Sequence, residues 1–61
     1  MSEPTFAQEE YADALVERLR NTHLLEAEAY GRKVARCQDR LEMSCLIDEM
    51  KTLLQEAEEE P

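Results

Sequence analysis

Tryptophan is absent, glycine occurs once, and the two prolines sit at positions 4 and 61. So few breakers leave almost nothing to punctuate strands or loops, and the composition favours helix. No glycine-rich loop exists to cradle a phosphate, so nucleotide binding has no anchor. No apolar run exceeds three residues, which excludes a transmembrane helix. Basic residues are also scarce, at 7 Lys and Arg against 15 Asp and Glu for a net charge of -8. That balance argues against binding a phosphate backbone through the protein as a whole.

The opening Met1-Ser2-Glu3-Pro4 lacks the basic and apolar regions of a signal peptide. Ser2 stands where myristoylation requires glycine, and no prenylation box is present. The two cysteines, Cys37 and Cys45, lie eight residues apart. On one helix that is about 12 Å of rise, beyond the ~7 Å Cα separation a disulfide spans. The expectation is a cytoplasmic protein with two reduced thiols.

Sixty-one residues, 7.1 kDa, form a single small helical domain over 1–61. A chain this short buries only about 60% of its unfolded surface, which makes a core of its own marginal. Yet 43% of the residues are hydrophobic, too many for a disordered tail.

Thr5 and Gln8 form a capping-box pattern, so a helix over about 5–30 is expected. Ala12, Leu15, Val16, Leu19, His23, Ala27 and Tyr30 recur at three and four along it. Gly31 then reads as a helix end, followed by a second helix over about 33–58 and a frayed acidic tail, 58–61. The second helix carries Val34, Cys37, Leu41 and Cys45 on one face and Met43, Leu46, Ile47, Met50, Leu53, Leu54 and Ala57 on nearly the opposite one. The fold class is all-α, a hairpin of two antiparallel helices turning near Gly31, with coiled-coil-like packing in an oligomer.

Two alternatives stay open. The stripe from Ala12 to Cys45 passes Gly31 in phase at about 3.67 residues per turn, the hendecad period of one long continuous helix. Asp39 with Glu42 offers a second capping box, which allows three helices with a break near residues 39–45. Charge favours the hairpin. Residues 1–17 carry -5, residues 18–40 carry +3 and residues 41–61 carry -6, so folding at Gly31 sets Arg20 near Glu42 and Glu10 near Lys51. It also brings both acidic ends together.

Two helices cannot shield both apolar stripes. Leu15, Val16, Leu19, His23, Tyr30, Val34 and Leu41 are therefore read as packing within the chain or between copies. Met43, Leu46, Ile47, Met50, Leu53, Leu54 and Ala57 are read as the face that binds a protein partner.

The chemistry-bearing residues point elsewhere than catalysis. His23 and Glu26 have the spacing of a helical metal pair, but further inward carboxylates and the usual zinc spacings are missing. Cys37 has Arg36 and Arg40 nearby, yet both cysteines fall on the apolar stripe, where cysteine is ordinarily a small core residue. Arg32, Arg36 and Arg40 repeat at four, but no aromatic interleaves them for stacking on bases. The sequence implies no cofactor, no metal, no enzyme and no membrane, and makes nucleic acid an improbable partner. It reads as an acidic interaction module, a chaperone, adaptor or regulatory subunit. The competing reading is an acidic mimic of nucleic acid that occupies a basic groove on another protein.

Overall fold

The expected capping box closes as drawn. Gln8 N–H donates to Thr5 Oγ1 at 3.0 Å and Thr5 N–H donates to Gln8 Oε1 at 3.1 Å. Helix α1 runs from there over Phe6–Arg20. The computed structural model describes residues 3–59, with side chains through Glu56.

α1 stops ten residues before the expected end at Tyr30. The amides of Asn21, Thr22 and His23 bond back to the carbonyls of Arg18 and Leu19 and finish the last turn. Asn and Thr side chains compete with the backbone for hydrogen bonds, which makes this pair a workable helix end. α2 then spans Leu24–Arg36. Gly31 lies inside it, and no described residue has a positive φ. The turn expected at Gly31 is thus corrected to one at 21–23.

The second break falls at 37–39, just ahead of the expected 39–45 interval. Cys37 turns extended, at φ -70° and ψ 129°. Asp39 Oδ1 accepts from Leu41 N–H at 3.2 Å and Asp39 carbonyl from Met43 N–H at 2.9 Å, which caps α3, Arg40–Glu59. The chain is a three-helix bundle. Neither the two-helix hairpin nor the continuous helix is formed.

The three helices alternate in direction. A β-carbon on Gly31 would lie 3.6 Å from Val16 Cγ1, and Arg20 shares a hollow with Ala27 and Glu28, so α1 and α2 are antiparallel. Three residues link α2 to α3 and Tyr30 then meets Glu49, so α3 runs back along α2 and parallel to α1, where Tyr11, Leu15 and Arg18 line one groove with Lys51, Leu54 and Gln55. α1 packs on both partners, while α2 and α3 touch each other least. With three helices, the start of α1 and the end of α3 lie at opposite ends, so the acidic first turns of α1 do not meet the last turns of α3.

The core answers how both stripes are shielded. Ala12, Leu15, Val16 and Leu19 of α1 pack with Ala27 and Val34 of α2, with Cys37, and with Met43, Leu46, Ile47, Met50 and Leu54 of α3. Leu19, Met43 and Met50 are the largest side chains fully enclosed. No polar or charged side chain is buried among the described residues. No described helix is long and apolar enough to cross a membrane.

Candidate interaction surfaces

The face read as a partner site points inward. Met43, Leu46, Ile47, Met50 and Leu54 are buried against the rest of the chain and Leu53 is partly buried, while the side chain of Ala57 and residues 60–61 lie outside the described residues. α3 presents this stripe to α1, so the chain itself supplies the cover that the two-helix reading lacked.

The self-packing set divides. Leu15, Val16, Leu19 and Val34 are core residues, and His23 and Tyr30 are half-buried. Leu41 is 76% exposed. The break at 37–39 rotates α3 relative to α2, so the stripe continuous through Cys37 is not continued by Leu41 and Cys45, which both face solvent. The same break removes Arg40 from the line of Arg32 and Arg36.

The residues with chemistry in principle stand apart. His23 is at the α1–α2 turn, with Nδ1 3.4 Å from Glu26 Oε2. Its Nε2 is enclosed and has no hydrogen-bond partner among the described residues. Cys37 is at the other end of the bundle, where its thiol donates to the Asp39 carbonyl at 3.2 Å. Cys45 is on the outside of α3. Among the described residues no three metal-ligating side chains converge.

Tyr30 has the most perturbed environment. Its hydroxyl donates to Glu49 Oε1 at 2.8 Å, and Lys33 Nζ stands 5.0 Å from its ring centroid. The bond to Glu49, then burial, then the charges of Glu49 and Glu26 hold the phenol above its ordinary pKa. A phenol so protected keeps its proton at neutral pH and joins α2 to α3.

Each helix exposes both signs in different proportion. α1 turns Glu9, Glu10, Asp13 and Glu17 outward with Arg18 and Arg20, α2 turns Arg32, Lys33 and Arg36 outward with Glu26 and Glu28, and α3 exposes Glu42, Asp48, Glu49 and Glu56 against Arg40 and Lys51. Exposed large apolar side chains stand near the helix starts, Phe6 on α1, Leu24 and Leu25 on α2 and Leu41 on α3, with Tyr11 exposed in the middle of α1. Neither Phe6 nor Leu25 shares the phase of the apolar stripe, which is the sequence signal that places them outside. No family model matches the chain, and no curated protein or solved structure matches it.

Proposed function

We propose that this chain is a small acidic protein-interaction module, an adaptor or regulatory subunit, that binds a basic surface of another protein through the outer face of α3. The observation that carries the reading is the two-sidedness of that helix. Its inner stripe, Met43 to Leu54, is buried, while its outer side couples the exposed Leu41 to the exposed carboxylates Glu42, Asp48, Glu49 and Glu56. An apolar contact within a charged rim is the anatomy of a protein interface.

Charge density favours a basic protein surface over mimicry of nucleic acid. From Glu42 to Glu56 the helix rises about 21 Å and shows four carboxylates. The same length of duplex carries roughly a dozen phosphates. Docking through Met43, Ile47 and Leu54 instead requires α3 to leave the bundle and expose the core.

The test compares three baits: the native chain, a chain with Leu41→Asp and Asp48→Lys, and a control with Ala14→Lys on the exposed side of α1. Proteins captured by the native chain and the control but lost from the α3 variant support the reading. Capture unchanged by the α3 substitutions refutes it.

A further inference from the structure

One face of the bundle is made by α1 and α2 on the side away from α3. Its floor is made of small residues, half-buried Gly31 and exposed Ala35 over the buried Ala27, with Arg20, Glu28 and Arg32 around them. A second helix pair can approach such a floor closely. At 100° per residue, Glu10, Asp13 and Glu17 form the outward ridge of α1, and Arg32 and Arg36 that of α2. All five are exposed. Among the described ion pairs, Glu17 has its own neighbour Arg20, at 3.8 Å, and none involves Asp13, Arg32 or Arg36.

We propose that this face is a homodimer seam, in which α1 of each copy lies antiparallel to α2 of the other around a two-fold axis parallel to the helices. The occupant follows from symmetry and charge. Two identical helix pairs packed face to face admit two in-plane two-folds. An axis across the helices sets α1 on α1 and α2 on α2, acids on acids and bases on bases. An axis along the helices sets each α1 on the other copy's α2.

That second arrangement also fixes the register, because rotation about an axis along the helices leaves heights unchanged. Residues opposite each other across the seam are those already level within one chain, where Val16 meets Gly31 and Arg20 lies beside Ala27 and Glu28. Counting outward from Val16 and Gly31, Glu10 comes level with Arg36 of the second copy. Asp13 falls between Arg32 and Arg36, Glu17 midway between Arg32 and Glu28, and Arg20 level with Glu28. Glu10, Asp13 and Arg20 meet only the opposite sign, Glu17 meets both, and each pairing occurs twice. A face with both signs laid out in this way complements itself.

The proposal does not rest on the assignment to α3, whose outer face lies away from the seam in both copies. The face is one helix pair wide and about 20 Å long, near the small end of stable interfaces, so the dimer is concentration-dependent.

Sedimentation equilibrium of the full chain, from millimolar to low micromolar, is the test. The native chain is expected to approach twice its 7.1 kDa mass at the upper end. Asp13→Arg with Glu17→Arg, and separately Arg32→Glu with Arg36→Glu, should each hold the mass at that of one chain while circular dichroism stays helical. Mixing the two variants should restore the dimer, since each basic ridge then meets an acidic one. A native chain that stays at single-chain mass throughout, variants that keep the native mass, or a mixture that fails to recover would each overturn the seam. Leu25→Asp, on an exposed side chain beside the seam, gives a further readout should either charge variant lose helicity, and an unchanged mass there also counts against it.

Discussion

Tyr30 on α2 hydrogen-bonds Glu49 on α3 at 2.8 Å, across the seam between the two helices that touch each other least. The α1–α2 and α1–α3 seams are apolar and extensive, so this polar tie matters most where packing is thinnest. Tyr30→Phe removes the hydroxyl at a half-buried site and should cost about 1 kcal/mol in urea unfolding.

The same pair sets an alkaline limit. The folded state holds the Tyr30 proton more tightly than the unfolded state does, so the phenol's pKa is raised on folding. Its contribution is complete below the ordinary tyrosine pKa and is lost as pH climbs through the raised value. Urea midpoints should therefore fall above about pH 10 in the native chain, and fall less in Tyr30→Phe. Equal alkaline losses in both would show that the bond contributes nothing.

Gly31→Ala discriminates a helical glycine from a turn glycine. A β-carbon at Gly31 meets only Val16 Cγ1, at 3.6 Å, an ordinary contact. Alanine therefore improves helix propensity without a clash and should stabilise by about 0.5–1 kcal/mol, or several degrees in thermal midpoint for a chain of this size. A lowered midpoint would contradict the placement of Gly31 inside α2.

The two sides of α3 should respond oppositely to charge. Ile47→Asp with Leu54→Asp buries two carboxylates in the apolar core and should abolish the helical circular dichroism signal altogether. Leu41→Asp falls on a side chain 76% exposed and should shift stability by less than about 0.5 kcal/mol. Were the inner stripe a docking face on a folded chain, the double substitution would leave helicity intact.

The sequence pattern carries the core and the caps of this fold more plainly than its breaks. The apolar positions of the core, from Ala12 to Leu54, are visible as helical repeats because burial imposes a period on any helix. The capping box at Thr5 and the side-chain cap at Asp39 are visible because a cap is a local bond between near neighbours. The breaks were harder. Gly31 disfavours helix by about 1 kcal/mol and Asn21 and Thr22 by less, yet the chain turns at the latter. Closing the apolar faces of α2 and α3 onto α1 outweighs that local difference. The inner stripe of α3 reads equally well as a partner site for a related reason. Periodicity reports that a face is covered, and is silent about whether the same chain or another covers it.

Cys37 and Cys45 should separate by reactivity. Both are free, but Cys37 is buried at the α2–α3 link with its thiol donating to the Asp39 carbonyl, whereas Cys45 is exposed. A maleimide reagent followed by mass spectrometry should label Cys45 first, and Cys37 only as the link opens. Because Cys37 packs into the core beside the cap of α3, its labelling reports local opening rather than thiol chemistry. Asp39→Ala removes the side-chain acceptor for Leu41 N–H, weakens that cap, and should speed Cys37 labelling while leaving Cys45 unchanged. Equal rates at the two cysteines in the native chain would mean that the link at 37–39 does not protect Cys37.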